Sequence, residues 1–485
     1  MTRLVQAYPF WLSALALFAI TTLAPSDSAR ALGPEDPGLL HTYLEESEPE
    51  DGETVEEEVS QVLFQFNTPV QLDFSQVTIE DADGAEVDHG EPSRAEDRGD
   101  DVFQVTFPEP LEPGSYTVSW QTAGPDDHVV RDAFAFSVVD PDADEPPEPT
   151  PEPEEVEPVE ADVTDPAEDP PGVFIRWLFL IGIVGMIGTV TFRTLILPKL
   201  AADEGLTRFG ELAGQRVHSV AWVFAILALV ALPLRLWVQS ASMFGADEAL
   251  ALGNLGSVIF QTSWGTGFLV FLLAILLFGA GLFTSGEGGS RLGGWAVAAV
   301  AVLALPLAAS LSGHAWGAEG NRPLQVTSLY VHVLAAGVWL GGLSTVLLVG
   351  IPALNAAKKE RRREGVHGAE EERGVLPGLG RLVGSFSRVA LVAVVLLVAS
   401  GVTQAAALAS PLWELPGSEY GRTLLVKVGL AVGAFALGFY NWRVVRPALQ
   451  ERPTPGLLRI PASLEMLLGL GVLLVTAILV VQALP

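Results

Sequence analysis

Side chains that could hold a metal ion occur at a few places along the chain. There are seven histidines and no cysteine, so imidazole, carboxylate, thioether or backbone groups must supply any ligands. Asp126 and His128 are two residues apart. On an extended strand they would share a face and could offer one oxygen and one nitrogen to a single ion. The alternative is a solvated loop of an acidic domain. His41 precedes the first acidic stretch and is a third candidate ligand.

A second group of candidates lies in apolar segments. His314 ends one such segment and His332 lies about two turns into the next. Ionisable groups inside membrane spans are costly and are usually functional, so two imidazoles at similar depth favour a metal path. The alternative is structural: His314 caps a helix and His332 bonds a neighbouring backbone. Met186 and Met466 are the only methionines in the spans, which argues against a thioether path for Cu(I).

Three further residues stand out within the apolar segments: Trp339, Lys427 and Glu465. Lys427 and Glu465 are opposite charges in the last two segments and could pair across a bundle. Their sequence positions put Lys427 toward one face of the membrane and Glu465 toward the other, so we do not expect a direct bridge. We expect Glu465 to bond a nearby basic group such as Arg459, as a structural anchor.

The charge distribution divides the chain into two regions. The sequence holds 58 acidic and 27 basic side chains, yet 49% of its residues are hydrophobic. Residues 32–172 contain 41 of the acidic side chains and only three arginines, so the remainder is basic overall. This split predicts one region in water and one in lipid. A strongly acidic surface repels phosphate, so we expect no nucleic-acid partner.

The N-terminus is typical of a signal peptide. Arg3 precedes an apolar run from Phe10 to Leu23, and small residues ending in Ala29-Arg30-Ala31 predict a cleavage site after Ala31. The alternative is an uncleaved anchor, although the run is shorter than the roughly 20 residues that span a bilayer. Under either interpretation, the residues after this segment are exported.

Residues 32–140 are predicted to form an exported all-β, immunoglobulin-like sandwich. Short alternating runs of β-branched and aromatic residues at 62–66, 77–79, 102–105, 116–120 and 134–138 indicate strands, separated by turn pairs such as Asp83-Gly84. Residues 141–171 are acidic and rich in proline, which predicts an extended linker.

Residues 172–485 are predicted to form a bundle of about eight transmembrane helices. Apolar runs long enough to cross a bilayer occur near 173–197, 216–239, 262–284, 292–313, 325–351, 384–409, 421–444 and 463–484. The loop 352–383 carries seven Lys and Arg residues, whereas the loops 240–261, 314–324 and 410–420 contain only Arg322. The positive-inside rule then places the loop 352–383 in the cytoplasm and both termini outside, in a multi-pass protein of the cytoplasmic membrane.

The exported region resembles the CopC family of copper-binding proteins. The stretch from His41 through Ser47 and Pro49 to Asp51-Gly52 is similar to the family's opening, and Leu111–Trp120, Asp126–His128 and Phe134–Val138 are similar to its closing strands. The resemblance implies that His41, Asp126 and His128 bind Cu(II). Two features depart from the family pattern: Asp127 stands where the family has glycine, and His41 is the tenth residue after the predicted cleavage site.

The membrane region resembles the CopD family, with which CopC domains are often fused. The similar residues occur in order on successive spans: Ser312–Ala315, His332–Leu343, Phe386-Ser387, Ser400-Gly401, Tyr420–Arg422, Lys427, Asn441 and Glu465. The glycine pair Gly341-Gly342 also has a structural interpretation, because small residues let helices approach closely.

Together these features predict a CopC–CopD fusion. The resemblance implies that the exported domain captures copper and that the bundle moves it across the membrane, inward as in the family, in support of copper homeostasis and resistance. The expected partners are the copper ion, membrane lipid and other periplasmic copper carriers. There is no G-x-x-x-x-G-K-[ST] loop, so we expect a transporter rather than an enzyme that hydrolyses ATP. The alternative function is a membrane redox protein in which His314 and His332 hold haem.

Overall fold

The computed structural model describes ten stretches of the chain: residues 42–56, 58–95, 98–125, 129–139, 169–286, 291–312, 322–363, 369–408, 415–451 and 455–482. The predicted signal peptide, most of the linker, and the candidate ligands His41, Asp126, His128 and His314 lie outside these stretches. The described residues divide into two compact units. One contains 166–236 and 265–485, and the other contains 27–165 and 237–264.

The N-terminal region is an eight-stranded sandwich within its described residues. Its strands are β1 (Leu44–Glu48), β2 (Thr54–Val55), β3 (Gln61–Phe66), β4 (Gln76–Asp81), β5 (Ser93–Arg94), β6 (Val102–Thr106), β7 (Gly114–Ala123) and β8 (Val129–Val138). One sheet has the order β1-β3-β6-β5 and the other β2-β8-β7-β4. All pairs are antiparallel except β2 with β8. The predicted β-sandwich is confirmed, and all five predicted runs lie within strands.

The sandwich core consists of aromatic and branched side chains from the inner faces of both sheets. Buried residues alternate with exposed or half-buried ones along β7, as expected for a strand with one face on a core. Phe64 stacks on Phe103 with ring centroids 4.7 Å apart, and Phe66 meets Trp120 edge-on at 5.2 Å. The first pair lies within one sheet, on β3 and β6, whereas the second joins β3 to β7 of the other sheet. No disulfide takes part, since the chain has no cysteine.

Tyr116 closes one corner of the sandwich. Its hydroxyl donates a 2.7 Å hydrogen bond to the backbone oxygen of Glu112, four residues earlier. Burial, together with the neighbouring carboxylates of Glu112 and Asp81, raises the pKa of the Tyr116 phenol. The phenol therefore stays protonated, and remains a donor, across the neutral pH range.

The membrane region is helical. Its helices are α1 (Pro170–Thr191), α2 (Leu197–Ala201), α3 (Thr207–Phe244), α4 (Leu252–Gln261), α5 (Ser263–Thr284), α6 (Arg291–Leu311), α7 (Arg322–Ala336), α8 (Gly342–Thr345), α9 (Ile351–Arg363), α10 (Ala369–Leu408), α11 (Glu419–Tyr440), α12 (Arg446–Glu451) and α13 (Pro455–Leu479). Four π-helical segments interrupt them, at Phe192–Ile196, Gly337–Gly341, Val346–Gly350 and Asn441–Val445.

Eight helical segments of the described chain are long and apolar enough to cross a membrane, which confirms the predicted number. In chain order, spans one to eight are Pro170–Ala201, Thr207–Phe244, Ser263–Thr284, Leu292–Leu311, Arg322–Arg361, Gly378–Ala406, Glu419–Ala448 and Leu458–Leu479. Spans one and five are mostly buried inside the protein, whereas few residues of the apolar stretch of span seven are fully buried. The core of the bundle therefore forms around spans one and five.

Spans one and five touch backbone to backbone. A Cβ atom placed on Gly188 would overlap the backbone of Gly341, and one placed on Gly341 would overlap the carbonyl oxygen of Val184. A Cβ on Gly342 would lie 3.0 Å from the ring of Phe386 on span six. The structural interpretation of Gly341 and Gly342 is thus confirmed, because only residues without a side chain allow these helices to approach so closely.

Replacing Gly341 with alanine should destabilise the bundle, because the added methyl group has no space against Val184. Overpacking of this kind typically costs about 1–3 kcal/mol. The matched control is Gly429→Ala on span seven, where nothing lies within 4 Å of the added Cβ. Thermal unfolding of both variants in detergent would measure the effect, and equal midpoints would show that the contact between spans one and five is not a packing constraint.

Candidate functional site

The segment that begins after His41 is tied to the loop following β3. The hydroxyls of Thr42 and Thr68 share a buried hydrogen bond of 2.8 Å. The backbone N–H of Tyr43 donates to the side-chain oxygen of Asn67 at 2.9 Å, and the N–H of Asn67 donates to the carbonyl of Tyr43 at 3.2 Å. These bonds attach the chain directly after His41 to residues 67–68.

The same loop also binds the end of β7, shortly before Asp126 and His128 in the sequence. The backbone N–H of Gln71 donates to the carbonyl of Ala123 at 2.8 Å, and its side-chain amide donates to the carbonyl of Gly124 at 2.6 Å. Ala123 is the last residue of β7, and β8 begins at Val129. Residues 67–71 therefore bring the segments that flank all three predicted ligands to one end of the sandwich.

The unit that contains the sandwich also contains residues 237–264, which connect spans two and three. Within this unit, Arg131 on β8 donates to the backbone oxygen of Ser242 at 2.9 Å, and Gln121 on β7 donates to that of Met243 at 3.0 Å. Arg131 also donates to Gln121 at 2.6 Å. These bonds join β7 and β8 of the sandwich to the backbone of the connection between spans two and three within this unit.

In the membrane region, His332 contacts Ser400 of span six. Nδ1 of His332 lies 3.2 Å from Oγ of Ser400, and this hydroxyl donates its own hydrogen to the carbonyl of Leu396 at 2.7 Å. The Ser400 oxygen can therefore only accept from Nδ1–H, so the lone pair of the neutral ring lies on Nε2. Ser328 reinforces the contact by donating to the carbonyl of Ser400 at 2.9 Å.

This arrangement suits a metal ligand, because histidines that bind metals usually have the second ring nitrogen held by a hydrogen bond. It also agrees with the structural alternative, in which His332 simply bonds a neighbouring helix. The predicted pairing of His332 with His314 stays a prediction, since His314 lies outside the described residues. Among the residues that the structure describes, no three His, Asp or Glu side chains gather closely enough to hold a metal ion.

Glu465 is a buried residue of span eight, and its carboxylate accepts hydrogen bonds from side chains of spans five and seven. The indole N–H of Trp339 on span five donates to Oε1 at 3.2 Å, and the side-chain amide of Asn441 on span seven donates to Oε2 at 2.9 Å. Only 4% of Glu465 is exposed. Gly438 leaves space for the carboxylate, because a Cβ there would lie 3.1 Å from Oε1.

The expected contact of Glu465 with Arg459 is not the one formed. Both hydrogen bonds of the carboxylate go to other helices, and within the described residues no ion pair joins it to Arg459 or to Lys427. The reason is helical geometry. Arg459 is exposed on the same helix, and residues six apart do not share a face, whereas side chains three or four apart do.

Comparisons with known proteins match almost the whole described chain. Residues 44–139 match the CopC domain. Residues 167–326 match the N-terminal domain of copper resistance protein D-like proteins, and residues 380–479 match copper resistance protein D. The chain joins a CopC domain to a CopD domain.

A relative of known name and two solved structures are similar to this CopC–CopD chain. The copper transport protein CutJ of Bacillus subtilis strain 168 is 22% identical over 442 residues, which is 91% of this chain and 74% of CutJ. The structure of CopC from Methylosinus trichosporium OB3b is 26% identical to this chain, with a TM-score of 0.20. The match covers 22% of this chain and all of that CopC chain. PcoC, a methionine-rich copper resistance protein from Escherichia coli, is 20% identical, with a TM-score of 0.19. That match covers 20% of this chain and 99% of PcoC.

Two partner residues were missed as site candidates, although both occur in the CopD-like motifs. Ser400 sets the tautomer of His332, and Asn441 bonds Glu465. Both lie within the part of the chain that matches copper resistance protein D, while His332 and Trp339 lie between the two CopD matches. Ser400 and Asn441 were recognisable as motif residues, but the sequence does not show which side chains they touch.

Proposed function

We propose that this protein binds Cu(II) outside the cytoplasmic membrane and transports copper inward through its CopD region. The observation that supports the first part is that residues 42–43, directly after His41, and residues 123–124, shortly before Asp126, are both bonded to the loop 67–71. Imidazole nitrogens and a carboxylate oxygen are ligands that suit Cu(II). The CopC match over residues 44–139 supports copper as the ion.

The transport part rests on the bundle. Eight candidate spans are more than an anchor for one small domain needs, and the relative CutJ is named a copper transport protein. We assign His332, together with His314, to an outer site that accepts copper from the CopC domain. Nε2 of His332 would hold the metal, because Nδ1 is engaged by Ser400. Inward direction follows the family resemblance, and other periplasmic carriers would supply the ion.

The proposed orientation exports the CopC domain by the signal peptide 1–31 and places the C-terminus outside. The shared unit of the sandwich and residues 237–264 supports this orientation, because both must then be extracytoplasmic. The families matched concern copper resistance rather than catalysis, so we assign no enzymatic step to the chain.

The CopC domain, as segment 32–140, should bind about one Cu(II). His128→Ala should weaken binding at least about tenfold, equivalent to ~1.4 kcal/mol, because one nitrogen ligand is lost. The control is His89→Ala in the same domain, since His89 contacts only the carbonyl of Gly90 among its described hydrogen bonds. Calorimetric titration would compare the three proteins, and unchanged affinity in His128→Ala would exclude the proposed copper site.

His332→Ala and His314→Ala should each reduce copper accumulation in cells at matched protein levels, because each removes a ligand of the outer site. His218→Ala is the control: its ring contacts Trp222 and Ser285, and it lies in span two. An absorption spectrum recorded in parallel tests the haem alternative. Normal uptake by the double variant would overturn the outer site, and a haem band lost in that variant would favour the redox function.

A reporter fused within the loop 352–383 should behave as a cytoplasmic protein. The loop carries a cluster of Lys and Arg that resists translocation. A fusion in the connection 245–251 provides the matched extracytoplasmic control. Paired alkaline phosphatase and fluorescent-protein fusions would measure both positions, and phosphatase activity in the loop 352–383 would contradict the proposed orientation.

A further inference from the structure

The buried carboxylate of Glu465 has only neutral hydrogen-bond donors. The indole of Trp339 and the amide of Asn441 each donate one hydrogen bond to one of its oxygens. A carboxylate removed from water without a cation loses much of its solvation free energy. Ionisable groups inside membrane spans are therefore rare, and those that are present usually bind or release an ion as part of the function. The proposed copper sites do not include the Glu465 carboxylate.

The charged groups on the elements packed around Glu465 lie away from its carboxylate. Span seven carries Lys427, about 16 Å along the helix from the level of Gly438 by the helical rise, and Arg443, which is exposed. It also carries Arg446, whose guanidinium lies against Gly384 of span six. On span one, Nε of Arg176 donates to the carbonyl of Ala477, about 18 Å beyond Glu465 along span eight. Arg459 on span eight itself is exposed. The π segments 337–341 and 346–350 and helix α8 contain no ionisable residue.

Asn441 can serve the carboxyl group in two protonation states. Its Nδ2 donates to the ionised carboxylate, while its Oδ1 is buried and has no hydrogen-bond partner. A protonated Glu465 would present an O–H donor, and rotation of the Asn441 amide would turn Oδ1 toward it. The unpaired oxygen is thus the acceptor that the protonated state requires.

Both donors also lie on irregular helix segments. Trp339 belongs to the π segment Gly337–Gly341, and Asn441 begins the π segment Asn441–Val445. Single π turns within membrane helices occur frequently at functional sites, because they redirect side chains that a regular helix would present elsewhere. Here two such segments, on spans five and seven, direct their polar groups at one carboxylate.

We propose that Glu465 is a proton-binding site that couples copper movement to proton movement through the bundle, with Asn441 as the residue that accommodates both protonation states. The inference rests on the proposed copper transport and deepens it by naming the coupling ion. In each cycle one Glu465 oxygen forms an O–H bond with a proton from one aqueous side and releases that proton to the other side. Trp339 remains a donor to the carboxyl group in both states.

The full-length protein in proteoliposomes provides the test. A copper-sensitive dye and a pH-sensitive dye inside the vesicles would follow both ions under imposed pH gradients. We expect the gradient to change the copper uptake rate of the wild type, and copper addition to move protons. Glu465→Gln should abolish both effects, whereas the control Glu419→Gln, an exposed carboxylate in the first turn of α11, should retain them.

Asn441→Leu provides a second readout. It removes the charge-assisted hydrogen bond to the ionised form, which is stronger than the neutral bond that Oδ1 would accept from the protonated form. The midpoint of the pH profile of copper uptake should therefore move to higher pH. If Glu465→Gln does not fold or is inactive, the pH profile of Asn441→Leu tests the proposal instead. A moved midpoint supports Glu465 as the coupling site, and an unchanged midpoint overturns it. Wild-type copper uptake without any response to the gradient, or a gradient response retained in Glu465→Gln, would also overturn it while leaving copper transport intact. A wild type that moves no copper at any pH would instead reject the proposed function itself, and the coupling with it.

Discussion

Gly188 and Gly341 bring the backbones of spans one and five into direct contact, and the rest of the bundle is arranged around this contact. In lipid there is no hydrophobic gain from helix association, so close van der Waals packing between small residues has to stabilise it. Span one packs on span two in the same way, since a Cβ on Gly182 would press on Ala228. Spans one and five have the largest shares of buried residues among the candidate spans, and span seven has the smallest.

This packing decides where polar groups can exist inside the membrane region. The π segment Gly337–Gly341 contains both Gly341, at the contact with span one, and Trp339, which reaches Glu465. One irregular turn therefore serves packing and polar bonding at once. His332 lies on the preceding helix of the same span and contacts Ser400. Span five thus carries residues of both intramembrane sites, the histidine proposed for copper and the indole that bonds the proposed proton site.

The CopC domain is stabilised in a different way, without disulfides, because the chain has no cysteine. Its stability comes from aromatic contacts between the sheets, such as Phe66 with Trp120, and from the 2.7 Å hydrogen bond of Tyr116. The loop 67–71 then connects the two segments that carry the proposed ligands to this rigid core. Ligands placed on segments tied to a packed scaffold keep their geometry better than ligands on free loops.

The sequence by itself determined the class of structure, since its signals are local or compositional. Alternating runs such as 116–120 predicted the strands, and apolar runs of bilayer length predicted the eight spans, because side-chain period and length depend only on neighbouring residues. The motifs around His128 and His332 also indicated the two families. Short strands such as β2 and β5 were not predicted, because two residues carry no periodic pattern.

Tertiary structure alone decided which side chains meet. Asn441 is 24 residues from Glu465 and Trp339 is 126 residues away, yet both bond its carboxylate. Ser400 sets the tautomer of His332 across 68 residues. The sequence offered Arg459 as the partner of Glu465 because the two are close along the chain. The physical reason for the difference is that helix rotation, π turns and interhelical packing fix the direction of each side chain, and these depend on contacts between distant segments rather than on local sequence.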